Sequence, residues 1–456
     1  MPHATIATQE MEITPFVHEP GKKANFGATV TGADLNSLDE SSFQALRQAV
    51  YEHGVVVVKA QHDLIPAKQS DLIKRFDPEA RAQHGFGAGK GSKLVGFLGV
   101  RVFPFFRETA FASLLVSRTD LLFVGQDMPF HAIPDSGGVN LVGHGYQGDD
   151  HYGLKNLTVR AIPQSKLHAT PLSPEELASG QTRFNSFHFD GAIYGAPPSR
   201  VTSMRCVKAP VGPELTVRWD DGSGRTMNCK AGGTAFLSGA QLYSLLSDDE
   251  KKLADHSFWE PAPHPFAWMG TRRLRSSGMG LAPGGQTIPL HELPEWTPDK
   301  VYKFPMVWVN LVTGEKALQI FPDIIRKLYL RDSPTASERV VEDLEEIRSW
   351  VNDIYDRIAT PEYIIIPEAE EGDVIIWNNW AVQHSAIEYP DSYGTRSSTA
   401  ASSAEPSKAD CSQCTNSTLL RAHCPLGLSL QHKPLLCCSS LVGAWIDRHL
   451  KCCSAD

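Results

Sequence analysis

Gly372-Asp373-Val374-Ile375-Ile376-Trp377-Asn378-Asn379-Trp380-Ala381-Val382-Gln383-His384 is the stretch on which the fold turns. Glycine and aspartate form a turn, and the apolar run that follows reads as a strand, Asp373–Trp377, buried on both faces. The stretch ends on His384, whose neutral imidazole is a common metal ligand. Twelve residues further on stands Arg396, with Pro390, Asp391 and Gly394 between them as turn formers. That spacing predicts a hairpin that folds Arg396 back beside His384. A guanidinium there is able to grip a carboxylate through two parallel hydrogen bonds.

A second motif lies upstream, Phe187-His188-Phe189-Asp190, in a segment read as a strand over Phe184–Tyr194. Alternate side chains of a strand share a face, so His188 and Asp190 point one way and the two phenylalanines the other. With His384 they complete two imidazoles and one carboxylate, the facial set that non-heme Fe(II) oxygenases use while leaving positions open. An isolated His-x-Asp is common by chance. The distal histidine and arginine, in this order and spacing, give it weight.

The rest of the chain supplies a scaffold. Residues 12–62 run strand, turn, helix (Phe43, Leu46, Ala49 and Val50 at helical spacing), then the four-valine strand Val55–Val58. Residues 63–97 read as a helix and a glycine-rich loop that lacks the GKS/T ending of a phosphate cradle. Residues 98–123 have no clean period and are read either as an insertion foreign to the fold or as an ordinary buried strand pair. Strands are expected at Val201–Val207, Leu215–Trp219, Gly233–Leu237 and Tyr363–Ile366, and a helix over Leu242–Ala254. The region 257–333 reads as a lid-like insertion. Ser337–Ile358 carries an apolar stripe that predicts one long helix, with Thr335 and Glu338 as its capping box. After Arg396 the composition turns abruptly to Ser, Cys and Pro, so no strand is expected there. One domain is assigned to 12–396, and 397–456 to a disordered or non-native tail.

Composition narrows the function classes. Hydrophobic residues at 41% and charged residues at 21% describe a globular chain, and a formal net charge of −9 argues against nucleic acid as a partner. No signal-peptide pattern and no run long enough for a membrane span appear. Two of the nine cysteines, Cys206 and Cys229, precede residue 400, which fits a reducing, cytoplasmic setting. The sequence leaves a homo-oligomer open. In the tail Cys411, Cys414, His423 and Cys424 form the weaker rival, a zinc module, because no second well-spaced pair follows.

Three stretches together resemble the TauD/TfdA dioxygenase family: ATVTGADL with its helix and HGVVVVKAQ, AGGTAFLSGAQLYSLLSDDEK (231–251), and EGDVIIWNNWAVQHS. The resemblance spans about 12–396. It implies a mainly β fold with flanking helices, built on a double-stranded β-helix (jelly-roll) core. It further implies His188, Asp190 and His384 on Fe(II), with Arg396 and Thr234 holding the far end of 2-oxoglutarate. No catalytic residue beyond the metal ligands is implied. The expected reaction uses 2-oxoglutarate and O2 as cosubstrates to hydroxylate a small organic substrate, releasing succinate and CO2. Within the family ELPEW (292–296), FPMVW (304–308) and QTRFNSFHFD are most similar to fungal xanthine dioxygenases, which implies xanthine to urate and hence purine metabolism. Those enzymes carry Gln and Asn shortly after the distal Arg, where this chain reads Ser397-Ser398-Thr399-Ala400-Ala401-Ser402. The alternatives are a truncated, inactive pseudoenzyme of the same fold and a dioxygenase acting on a sulfonate or aryloxyacid.

Overall fold

The computed structural model describes residues 10–78, 130–163, 166–192, 198–270, 272–284 and 287–403. Strands β1 (Glu12–Pro15), β2 (Ala28–Thr31) and β3 (Val55–Val58) open the fold, with helix α1 (Glu40–His53) between β2 and β3 and α2 (Pro66–Phe76) after them. The strands β4 (Phe130–Ala132), β5 (Asn140–Tyr146), β6 (Val201–Lys208) and β7 (Thr234–Ser238) come next. Helices α3 (Gly239–Ser244) and α4 (Asp248–His256) lead to β8 (Phe258–Pro261), β9 (Ile325–Leu330) and β10 (Arg339–Val341). Helix α5 (Leu344–Tyr355) and strands β11 (Val374–Asn378), β12 (Val382–Ala386) and β13 (Arg396–Ser402) close the sequence of elements.

One wall is a sheet in the order β1-β2-β3-β11-β6-β13-β5-β4, with Thr158–Val159 paired to β5 off that path. β2 and β3 are parallel; the other neighbours are antiparallel. The facing wall is narrower. Its centre is the antiparallel pair β7–β12, edged by bridges at Phe184–Ile387 and His188–His384 on one side and Phe236–Ile365 on the other. Two such walls make the jelly-roll core. No helix among the described residues is long and apolar enough to cross a membrane.

Strand β3 explains why its sequence does not alternate. Val55 and Val57 point between the walls, where they join Ile375, Trp377, Phe236 and Val382. Val56 and Val58 point outward, under α1 and α2, with Leu46, Val50 and Ile73. Both faces are dry, so every position is apolar. Helix α1 reaches that surface with an Asp39 cap that accepts from Ser42 N at 2.7 Å, and Gly54 at φ 71° ends it.

Several expectations need correction. The chain does form a strand after Arg396: β13 sits in the middle of the main sheet, between β6 and β5. Residues 397–403 therefore belong to the domain, and the 396/397 boundary is wrong. Its Ser and Thr side chains disguise it, because Thr399 faces α2 and exchanges hydrogen bonds with Gln69, whose Nε2 also donates to Ser203 Oγ at 3.1 Å. Nor is the 384–396 segment a hairpin. β12 and β13 lie in opposite walls, and the turn carries the chain across the barrel.

The region 257–333 is no lid but a buttress. Its β8 and β9, with Phe304–Pro305 and β10, form a four-stranded sheet; Trp259 and the nearby Phe321 pack on Phe189 behind the narrow wall, and Phe304 packs on Trp259. The long helix expected over Ser337–Ile358 is α5 alone. Asp343 caps it through Glu345 N and Glu346 N, Arg339–Val341 is extended, and Glu338 pairs with Lys303 and Arg331 instead of capping. The helix expected over Leu242–Ala254 breaks into α3 and α4 where Ser247 and Glu250 form a capping box. The strand expected at Tyr363–Ile366 contributes a bridge at Ile365, and Phe184–Tyr194 is extended with bridges at Phe184 and His188 until Gly191, φ 110°, turns it. The 98–123 insertion, the glycine-rich loop and the cysteine cluster after 410 lie outside the described residues.

Gly143 on β5 has no room for a side chain, because a Cβ would fall on the backbone carbonyl of Arg396. Gly143→Ala should cost about 1–3 kcal/mol, the usual penalty of overpacking, read as a lower urea midpoint at unchanged slope.

Candidate metal centre

His188 and His384 are brought together by their own backbones. His188 N donates to His384 O at 3.0 Å and His384 N donates back to His188 O at 2.8 Å. That reciprocal pair fixes both Cα positions, and the rings sit with centroids 4.2 Å apart. Asp190, two residues on, returns to the same face. One potential ligand atom from each of His188, Asp190 and His384 lies within 4.8 Å of the others. Phe187 and Phe189 take the opposite face and are fully buried, which confirms the alternation even though the segment is not a regular strand.

Each of the three side chains is oriented by a neighbour. His188 Nδ1 lies 2.8 Å from the carbonyl of Ser186, and donating to it leaves Nε2 with its lone pair outward. Ser186 Oγ in turn donates to the buried carboxylate of Asp323 at 2.6 Å. Asp190 Oδ2 accepts from Thr202 Oγ1 at 2.8 Å, while Oδ1 faces His384 Nε2 across 3.8 Å. That gap is too long for a hydrogen bond and is bordered by ligand atoms of both kinds. The Asp190 backbone is clamped by Asn379, which accepts from its N–H at 2.9 Å and donates to its carbonyl at 3.1 Å.

His384 is packed against Trp377 (centroids 4.8 Å) and Phe236 (6.1 Å, stacked). Burial, with neighbouring His188 adding to it, pushes its pKa down to about 3. It is therefore neutral at physiological pH, the form that binds a metal. Its Nδ1 is buried with no hydrogen-bond partner among the described residues. Two neutral imidazoles and one carboxylate, converging on a gap, form a donor set that fits Fe(II).

Arg396 and Thr234, the expected cosubstrate residues, share a cavity of about 1080 Å³ that the three ligands do not line. Desolvation holds the guanidinium pKa below its usual value, with Tyr389 and Cys206 as nearby titratable groups. Among the described residues no carboxylate pairs with Arg396, and its Nη2 donates to Met204 Sδ at 3.6 Å. A half-buried cation with no anion beside it gains from the arrival of one. This makes the site a fit for a carboxylate ligand. Among the polar loop residues upstream of His188, Gln147 props the barrel by donating from Nε2 to Arg396 O at 3.1 Å. Asn185 keeps a buried Oδ1 without a hydrogen-bond partner among the described residues, and Lys166 is exposed.

Thr202, Ser186 and Asp323 escaped sequence reading, since nothing in their local pattern marks them. Asn379 had a signal: it lies in the Asn-Asn pair ahead of His384.

A family model described as taurine catabolism dioxygenase TauD, TfdA family matches residues 144–398. The chain is 35% identical over 401 residues to the alpha-ketoglutarate-dependent dioxygenase bsc9 of Alternaria brassicicola, covering 86% of this chain and 94% of that protein. It is 36% identical over 375 residues to the alpha-ketoglutarate-dependent xanthine dioxygenase xanA of Emericella nidulans, covering 82% and 91%. To the alpha-ketoglutarate-dependent dioxygenase fc-dox of Phomopsis amygdali it is 33% identical over 384 residues, covering 84% and 90%.

Two measurements probe this geometry. Thr202→Val leaves Asp190 Oδ2 without its donor and should weaken Fe(II) or Mn(II) binding by about 10–100-fold, read by calorimetric titration. Buried His168, whose Nε2 is 2.8 Å from Phe184 O, has its pKa pushed down by desolvation to about 4, and His384 behaves alike. Both folded values lie below the unfolded 6.5, so the unfolded chain takes up protons that the folded chain refuses. Stability of the metal-free protein is then full above about pH 6.5 and falls on acidification, by about 2 kcal/mol per histidine at about pH 5. Urea titrations across that range should give a smaller loss for His168→Gln.

Proposed function

The chain belongs to the taurine catabolism dioxygenase TauD, TfdA family, and from that premise we propose that it is an Fe(II)- and 2-oxoglutarate-dependent hydroxylase of a small organic substrate. The observation that carries the reading is the convergence of His188, Asp190 and His384 in a barrel that also holds a half-buried guanidinium, Arg396, with no carboxylate partner among the described residues. Iron, when bound, supplies the oxidising chemistry by which R–H, 2-oxoglutarate and O2 become R–OH, succinate and CO2.

The residues of the chain divide the remaining work. His188, Asp190 and His384 hold one face of the metal and leave the other for the cosubstrates. Thr202 ties up one oxygen of Asp190, so that carboxylate binds through the other. Arg396 neutralises the distal carboxylate of 2-oxoglutarate, and Thr234 donates to it. Phe236, Trp377 and Val382 keep the space between the walls apolar, which excludes water from the reacting centre. A cytoplasmic setting belongs to the same proposal, supported by Cys206 and Cys229 standing as free thiols.

The substrate reading turns on β13. Counting alternately from Arg396, Ser398, Ala400 and Ser402 share its face. Ala400 lies opposite Met204 on one side and Asn140 on the other. Where the resemblance implies Gln and Asn beside a purine, this wall offers hydroxyls and a methyl group. A xanthine ring presents several N–H and C=O groups that cost free energy when left unmatched. The name of the xanA relative favours xanthine; the wall favours a less polar molecule, and that is the reading we adopt. The pseudoenzyme alternative loses its main support, since the strand it lacked is present.

Succinate formation under aerobic Fe(II) tests the proposal. Wild type should decarboxylate 2-oxoglutarate, His188→Ala and His384→Ala should not, and Arg396→Ala should raise the KM for 2-oxoglutarate by about 100-fold. Equal turnover by wild type and His188→Ala would falsify the metal assignment. In a panel of small molecules, xanthine giving the largest stimulation would overturn the substrate reading.

A further inference from the structure

The cavity lined by Arg396 and Thr234 runs from the barrel interior to bulk solvent. Its walls include Thr234 and Ile375, each 4% exposed, and also Val17 at 96%. Glu368 and Lys230, with side chains 74% and 62% exposed, line it too. One continuous space therefore connects the Arg396 guanidinium and the buried Thr234 to the outside.

Where it opens is fixed strand by strand. On β6 Met204 and Cys206 line the cavity, whereas Thr202 bonds to Asp190. On β11 Ile375 lines it, whereas Trp377 packs on His384. On β7 Thr234 lines it, whereas Phe236 stacks on His384. On β13 Arg396 and Ser398 line it, whereas Ser402 lies opposite Thr202 in register. On all four strands the cavity takes one end and the metal ligands take the other. Phe236 and Trp377, with centroids 5.4 Å apart, mark the division.

We propose that 2-oxoglutarate enters and succinate leaves through this cavity, at the barrel end opposite the metal ligands, independently of the path taken by the organic substrate. The inference rests on the reading that Arg396 holds the cosubstrate. A five-carbon dianion is small beside a space of about 1080 Å³, and its distal carboxylate would be the part nearest the opening. Succinate keeps that carboxylate, so it can back out along the same line while the hydroxylated product still occupies the metal end.

The test narrows the opening without touching either end of the site. Ala209 and Glu19 both line the cavity; Ala209→Phe and Glu19→Phe add bulk there without adding a tryptophan, and Ala209→Ser is the control. Binding of 2-oxoglutarate to anaerobic Fe(II)-loaded protein is followed by stopped-flow tryptophan fluorescence, with Trp377 beside His384 as the reporter. The expected result is a fall of about tenfold in both association and dissociation rate constants, with Kd unchanged. An unchanged Kd also establishes that each variant is folded. Unchanged rates at unchanged Kd would overturn the rear entrance while leaving the role of Arg396 standing. Failure of 2-oxoglutarate to bind wild type would overturn that role, and the inference with it.

Discussion

Two backbone hydrogen bonds hold the centre of this molecule. Between His188 and His384 each amide donates to the other's carbonyl, and this pairs a segment from the middle of the chain with one near the end of the described residues. The side-chain geometry follows from that register. A slip of one residue would turn His384 outward and bring in Gln383, which in the native register faces the buttress and donates to Ile320 O at 2.7 Å and Tyr355 Oη at 2.9 Å. The register is thus specified from both faces of β12, by apolar and aromatic packing inside the barrel and a buried amide outside it.

The outer layers keep that register rigid. Helices α1 and α2 cover the wide wall and the 257–330 region covers the narrow one, so the outer faces of both sheets are buried. Close packing of this kind leaves little freedom for small displacements. A facial ligand set needs such stiffness, because its three atoms come from two segments that share no local connection.

Much of this was legible in the sequence, for identifiable reasons. His-x-Asp is readable because a period of two is a property of extended backbone, and Phe187 and Phe189 follow it although hydrogen bonding there is sparse. Val55–Val58 and Val374–Trp377 are readable because strands buried on both faces are apolar throughout. Helix α5 was overextended because Val340 continues the apolar stripe while lying half-exposed on a strand. The buttress looked like a lid because its short strands are separated by Pro and Gly, and nothing local reveals that Trp259 and Phe304 fill the back of another sheet. Thr202 was invisible, since its role depends on a partner from a different wall.

Strand β13 was missed for a reason that lies in α2. Gln69 puts an amide against the main sheet, and the buried groups that meet it are the hydroxyls of Ser203 and Thr399 and a backbone carbonyl. Replacing those hydroxyls with the β-branched hydrocarbons usual in such a place would strand the amide in a dry interior. The two elements are therefore bound to drift together over evolutionary time, and a substitution in one is tolerated only after a matching change in the other. A core strand written in serine and alanine is the lasting imprint of that partnership, and family members with an apolar residue at the helix position should have an ordinary hydrophobic strand beneath it.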